Sequence, residues 1–432
     1  MGCRVVPGRA AVFMNSGVLA LSHALLLLLR LVSVYFLLIS LFGLRPCRRA
    51  APAAAYRRFA CLIAARNEEA VIGACVQSLL SQAYPRAQFD VWVIPNNCTD
   101  ATAEAAQAAG ARLFFCREAV RCKGDALRQA VGALLEEDYD AFCVFDADNL
   151  VQPGFLSAMN DMLAAGAPAV KGAMRVKNPG ASWVSGCYGL YFTLFDRFFS
   201  RARMNCGLSA KLVGTGFAVS REALLQLGGW NTHTIAEDAE FSAQLVCAGL
   251  RVWFCEQAVT LDEAPERLSV SLRQRRRWSS GVMDVAAQAA PALALAARKT
   301  GSLCCADLLL MLLSPFTQAL SLVPALVSML CALQAGQGAA QLLSSLRALC
   351  AMGAGSVLLA ALLASLGRYR AGEIWKSVLL FPLFMGSWLP LVLYSLFFRT
   401  RRWEHIAHGP ASGVRGPGSV ALLPRRAQLP KP

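Results

Sequence analysis

Four long apolar runs constrain this 432-residue chain more than anything else in it; they cover about residues 16–44, 303–332, 345–366 and 376–398. Each is long enough to cross a hydrocarbon core of ~30 Å. They hold much of the chain's 56% hydrophobic content, so an ordinary folded unit is left for the stretch between the first and second runs. The first run is interrupted only by His23 and Arg30, exceeds a signal-peptide core and lacks an obvious small-residue cleavage site. It therefore reads as a signal anchor behind an N-terminal segment, 1–15. Only Arg4 and Arg9 precede it, whereas Arg45, Arg48, Arg49, Arg57 and Arg58 follow in a basic linker, 45–58. The positive-inside rule then puts the N-terminus outside and the folded unit in the cytoplasm, with the plasma (inner) membrane as the expected location. Three crossings over 303–398 would leave Arg399, Arg401 and Arg402 outside, against the same rule. A re-entrant segment or a further crossing within 303–332, which carries Pro315 and Pro324, would restore parity. The tail, 399–432, starts basic and becomes rich in Gly, Pro and Arg, a composition expected to be disordered.

The formal charge of +15 raises nucleic acid as a partner. Many of the basic residues flank apolar runs, however, as do Arg273, Arg275, Arg276, Arg277, Arg298 and Lys299. That distribution suits an anionic membrane face or a phosphorylated substrate, and no aromatic-plus-basic constellation calls for nucleic acid. The sixteen cysteines form no Cys-x-x-Cys pair, and Cys61, Cys143 and Cys331 fall in apolar stretches. They read as small buried hydrophobes in a reducing setting. His405 and His408 have no third ligand candidate nearby.

From residue 59 the pattern changes to short strands (59–65, 89–94, 111–115, 141–144, 168–174) alternating with helices (69–81, 99–109, 123–135, 153–164). Such alternation predicts an α/β unit over 59–285 with a parallel sheet covered on both faces. Residues 183–203 carry an aromatic stripe that suits a core, an acceptor groove or a membrane surface. Residues 267–298 read as a helix, basic at first and Ala-rich later, with an interfacial helix over 286–302.

The chemistry centres on Asp146-Ala147-Asp148, directly after the apolar strand. Ligands of α/β sheets bind outside the carboxyl ends of strands. Two carboxylates there can hold a hard divalent cation, although an isolated Asp-x-Asp is more often a solvated turn. Four further motifs supply context. Arg66-Asn67-Glu68 ends the first strand and Asn96-Asn97-Cys98-Thr99-Asp100 the second. Gly214-Thr215-Gly216-Phe217 precedes Glu237-Asp238, a carboxylate pair suited to proton abstraction or to capping a helix. Gln274-Arg275-Arg276-Arg277-Trp278 offers guanidinium forks for a diphosphate and an indole face for a sugar; it also suits a basic membrane-proximal helix.

In this order and spacing, the Asp-x-Asp, Glu-Asp and Gln-x-x-Arg-Trp motifs resemble membrane-bound glycosyltransferase family 2. That group contains cellulose, chitin, hyaluronan and poly-N-acetylglucosamine synthases and ceramide glucosyltransferases. The resemblance covers about 59–285 and implies a GT-A fold, a Rossmann-like nucleotide-sugar domain, here inserted between transmembrane helices. It implies that Arg66, Asn67 and Glu68 touch the nucleotide, Lys123 the donor phosphates, and Asp146 and Asp148 a Mg²⁺ or Mn²⁺ ion on the diphosphate. It makes Asp238 the general base with Glu237 beside it. It assigns Gln274 and Arg277 to the diphosphate, and Trp278 with Gly214, Thr215 and Gly216 to the acceptor. Asn96 stands where the family usually carries a base-contacting Asp. The donor so implied is a UDP-sugar and the bond formed a β-glycoside. The acceptor is expected to be a glycan or polysaccharide, with a single transfer to lipid as the alternative and an inactive scaffold subunit as a second.

Overall fold

The computed structural model describes residues 9–400. Arg401, Arg402, His405, His408 and nearly all of the basic tail lie outside the described residues, as does the start of the N-terminal segment. Strands β1 (Phe59–Ala65), β2 (Phe89–Pro95), β3 (Arg112–Leu113), β4 (Ala141–Asp146), β5 (Leu150–Val151), β6 (Ala169–Val176), β7 (Phe217–Ser220) and β8 (Val252–Asp262) form one sheet, in the order β3-β2-β1-β4-β7-β6-β8-β5. Helix α1 (Arg9–Leu41) precedes it. Helices α2 (Ile72–Leu80), α3 (Thr102–Ala108), α4 (Lys123–Leu134), α5 (Phe155–Ala164), α6 (Trp183–Leu194), α7 (Ala202–Asn205), α8 (Arg221–Leu227) and α9 (Glu237–Cys247) are interleaved with the strands.

Side chains alternate across a strand, so each central strand feeds two cores. Cys61, Ile63, Cys143 and Phe145 pack with α2, α3 and α5 on one face. Leu62, Phe142 and Val144 pack with α4, α8 and α9 on the other. Burial on both faces explains the near-continuous apolar runs of β1 and β4. The sheet is nevertheless mixed, which corrects the expectation of a parallel one. β1 lies parallel to β2 and β4, whereas β7 runs antiparallel to β4 and β6, and β5 antiparallel to β8. The cause is the point of entry. β7 starts with Phe217 opposite Val144 near the end of β4, so it can only run back along it. Helix α3 starts at Thr102, later than the expected 99, because the Asp100 carboxylate accepts the Thr102 amide at 3.2 Å.

Between α6 and α7 the helix passes through a π-helical segment, Phe195–Arg201. Its Asp196 is buried and accepts from Lys171 Nζ at 2.6 Å, Arg175 Nη1 and the Met174 amide, both at 2.9 Å, which ties the helix to β6.

Helices α10 (Leu268–Thr300), α11 (Leu303–Leu320), α12 (Leu322–Gln334), α13 (Gly338–Leu366), α14 (Ala371–Gly386) and α15 (Trp388–Phe397) complete the chain. Among the described residues, five stretches are long and apolar enough to cross a bilayer: Gly17–Leu44, Leu268–Thr300, Leu303–Gln334, Gly338–Leu366 and Ala371–Phe397. They mark a membrane protein. The stretch added to the expected four is α10, which runs without a break through 286–300. Helix α11 packs Cys305, Leu308 and Leu312 on Ala239, Ala243 and Val246 of α9. Its buried Asp307 takes both a two-pronged Arg203 contact (2.8 and 3.1 Å) and the Tyr35 hydroxyl of α1 (2.9 Å). The α14–α15 segment meets α6 near its start and α10 at its end. Near its start Ser377 O accepts from Cys187 Sγ. At its end Arg276 Nη2 reaches Phe398 O, and Arg399 pairs with Asp284 at 2.9 Å.

Candidate active site

Each functional side chain is presented by a strand end or a helix start. The turns after β1 and β2 are tied together: Asn67, in the left-handed region at φ 57°, accepts the Thr99 amide at 2.8 Å, and Asn97, at φ 48°, donates to Val120 O. Asn is one of the few residues that tolerate this backbone region. Asn96 turns its amide nitrogen back onto Ala65 O (3.0 Å) and Ile94 O (3.3 Å). Glu68 is buried, and burial together with Asp148 and Asp146 pushes its carboxyl up to about 8.

At the end of β4, Asn149 is the hub. Its side-chain oxygen accepts from the Asp146 amide and the Thr215 hydroxyl, and its nitrogen donates to Asp262 at 3.0 Å. Lys123, the first residue of α4, donates to Asp146 and to Gly214 O, and lies 3.8 Å from Glu237. Burial pulls its ammonium down, but Asp146 and Glu237 outweigh that and hold it above its ordinary value. Burial likewise pushes the Glu237 carboxyl up to about 8, against the pull of Lys123. Asp238 accepts the Gly214 amide at 2.6 Å and the Ala239 amide at 2.7 Å. On α10, Gln274 accepts the Tyr188 hydroxyl at 2.9 Å, and Trp278 packs against Tyr188 and Trp388. Arg277 has no hydrogen-bond or ion-pair partner among the described residues.

One cavity of about 820 Å³ gathers Lys123, Asp146, Asp148, Gly214, Thr215, Glu237, Asp238, Gln274, Arg277 and Trp278 in its wall. Arg66, Asn67, Glu68, Asn96 and Gly216 are not part of that wall. Gly216 is needed elsewhere: its φ is 65°, and a Cβ there would meet Thr260 at 2.9 Å. Thr215 is in the wall, yet its hydroxyl is engaged with Asn149 and the Asp146 amide. From the aromatic stripe, Tyr188, Tyr191, Phe192, Phe195 and Phe199 line the cavity, while Tyr188 and Phe192 also belong to a core shared with α13 and α14, so the stripe is both core and cavity wall.

Several wall residues escaped sequence reasoning. Asp262 and Glu263 end β8, and the strand-end rule that found Asp146 would have found them too. Burial, then Asp148 and Asp146, push the Asp262 carboxyl well above the ordinary range. Lys211, and Val32, Phe36, Met311 and Pro315 from α1 and α11, gave no signal in the sequence. The crowded carboxylates Asp146, Asp148, Asp262 and Glu68, with a single ammonium on Asp146, fit a divalent cation held by Asp146 and Asp148 that leaves its remaining positions to water and phosphate. No cluster of three or more His, Cys, Asp or Glu side chains with metal-ligand geometry occurs among the described residues.

Comparison with known proteins agrees with this picture. The profile described as Glycosyltransferase like family 2 matches residues 57–281, just over half of the chain. The probable glycosyltransferase YdaM of Bacillus subtilis (strain 168) is 29% identical over 229 residues, 51% of this chain and 54% of that one. The beta-monoglucosyldiacylglycerol synthase of Synechocystis sp. is 30% identical over 234 residues, 52% of this chain and 48% of that one. The matches thus span about half the length of these curated relatives. A mannosyltransferase from Pyrobaculum calidifontis, solved with GDP-Man and Mn²⁺, superposes with a TM-score of 0.56 at 21% identity, covering 88% of this chain and 99% of that one. That likeness concerns the fold, a GT-A-like mixed sheet followed by long apolar helices. With a profile match over more than half its length, the chain belongs to glycosyltransferase family 2.

Proposed function

We propose that this glycosyltransferase moves one sugar from a nucleoside diphosphate donor to a hydroxyl of a lipid acceptor, with inversion at the anomeric carbon. One observation carries the reading: a single cavity is lined both by carboxylates at the sheet's strand ends and by apolar side chains of α1 and α11. An acyl chain packed between two membrane helices would thereby present its headgroup to Asp238. The similarity to a glucosyldiacylglycerol synthase supports a lipid over the polysaccharide acceptor first expected.

In this reading Asp238 takes the proton of the acceptor hydroxyl as its oxygen attacks the anomeric carbon. The glycosidic bond breaks on the opposite face, and its electron pair leaves with the diphosphate. Arg277, which pairs with no anion among the described residues, and Lys123 stabilise that developing charge. A Mg²⁺ or Mn²⁺ ion on Asp146 and Asp148 would supply further charge neutralisation. Trp278, braced by Tyr188 and Trp388, positions the acceptor. A UDP-sugar is the donor implied by the family resemblance. The folded unit and both ends of α14–α15 then share the cytoplasmic side, with α1, α11–α12 and α13 crossing; this keeps Arg399 inside, as the positive-inside rule asks.

The test uses the purified chain in lipid nanodiscs with Mg²⁺ or Mn²⁺ and a panel of labelled nucleotide sugars. A lipid carrying a single sugar is the expected product. A ladder or high-mass polymer would overturn the single-transfer reading, and nucleotide binding without turnover of any donor would favour a scaffold.

A further inference from the structure

Three cations line the cavity, and their engagements differ. Lys123 is committed to Asp146 and Gly214 O. Arg277 belongs to the Gln274–Trp278 segment, at the diphosphate end of the reading above. Lys211 has no hydrogen-bond or ion-pair partner among the described residues. The charges that act on it are Asp238 and the buried Lys171. Lys171 is already neutralised by Asp196, which also takes Arg175. Lys211 shares the cavity wall with Asp238, whose charge acts on it, and with Phe195 and Phe199 of the π-helical segment. Burial pulls its ammonium below the ordinary lysine value, the sign of a charge that lacks a full complement of partners.

We propose that Lys211 is the headgroup subsite for an acceptor lipid that carries a phosphate as well as a free hydroxyl. An anion there would form a charge-assisted contact with an ammonium that has no ion-pair partner among the described residues. The same headgroup would reach Asp238 with its hydroxyl while its chains lie along α1 and α11. The proposal rests on the lipid-acceptor reading and narrows it to an anionic class.

The test compares binding of dioctanoyl phosphatidylglycerol, dioctanoylglycerol and glycerol 3-phosphate to the full chain, wild type, Lys211→Met and Lys211→Arg. The wild type is expected to prefer the phospholipid over the neutral lipid by at least ~10-fold. Lys211→Met should lose that preference while binding dioctanoylglycerol as before, and Lys211→Arg should keep it. Equal binding of the two lipids, or a preference that survives in Lys211→Met, would overturn the subsite. So would glycerol 3-phosphate binding as tightly as the phospholipid, since the anion would then come from a soluble ligand. Donor transfer measured alongside separates the two claims. Glycosylation of neutral lipid with no Lys211 dependence brings down this inference alone, whereas Lys211-dependent binding with no lipid ever glycosylated brings down the acceptor reading and the subsite's role in it.

Discussion

Asp238 and Glu237 are adjacent, yet their surroundings assign them different work. Asp238 faces the cavity and holds two backbone amides, Gly214 and Ala239, so its carboxylate is oriented without being used up. Asp238→Asn preserves the shape and removes the proton acceptor. Transfer should fall by at least ~10²-fold, while donor affinity measured by titration stays within a few-fold; normal turnover in this variant would reject Asp238 as the base. Glu237 also lines the cavity, but it lies 3.8 Å from Lys123 and burial raises its carboxyl from the ordinary 4.5 to about 8. A carboxyl that keeps its proton longer in the folded state contributes its full stability below the unfolded value. That contribution is lost as pH climbs from 4.5 toward about 8 and is level above it. The unfolding midpoint of the wild type should therefore drop across that window more steeply than that of Glu237→Gln. Parallel pH profiles for the two proteins would show that Glu237 is not the group responsible.

At the scale of elements, β1, β2, β4 and the start of α4 were legible because burial on both sheet faces forces unbroken apolar runs, and the strand-end rule then located Asp146 and Asp148. The direction of β7 was not legible, since four residues cannot encode which neighbour they meet. Nor was the π-helical segment, which depends on Asp196 meeting Lys171 and Arg175 from β6. The docking of α15 on α10 depends on contacts that no local pattern records. The same blindness hid the Arg203–Asp307–Tyr35 cluster, which joins α7, α11 and α1. Arg203 and Asp307 are both 1% exposed, so solvent cannot compensate either one alone. Asp307→Leu should strand the guanidinium and cost ~3–5 kcal/mol, seen as a lower unfolding midpoint. Adding Arg203→Met should recover most of that loss; a double variant no more stable than the single one would mean that the loss comes from packing around Leu308 and Leu312 instead.

At the scale of the whole molecule, the cavity is assembled from parts that lie far apart in sequence: strand ends of the sheet, the first half of α10, and the apolar faces of α1 and α11. No one of these parts could hold a lipid alone; the proposed acceptor needs their junction. Its volume falls in the usual range for small-ligand sites of ~300–1,000 Å³, enough for part of a lipid and not for a wide polysaccharide channel. Adding bulk at the membrane end tests the junction without touching the carboxylates. Val32→Trp on α1 and Met311→Trp on α11 each put an indole where the acceptor's chains would lie. Transfer to a long-chain lipid should fall by at least ~10-fold, about 1.4 kcal/mol of lost acceptor binding, with donor affinity unchanged. A short-chain, water-soluble analogue of the same lipid should lose much less, because its chains need not pass the indole. If both variants glycosylate long-chain and short-chain acceptors as the wild type does, the apolar end of the cavity is not the acceptor's path. If short and long acceptors fail together along with donor binding, the substitutions have collapsed the site, and smaller changes such as Val32→Phe are the ones whose length dependence decides between lipid and glycan.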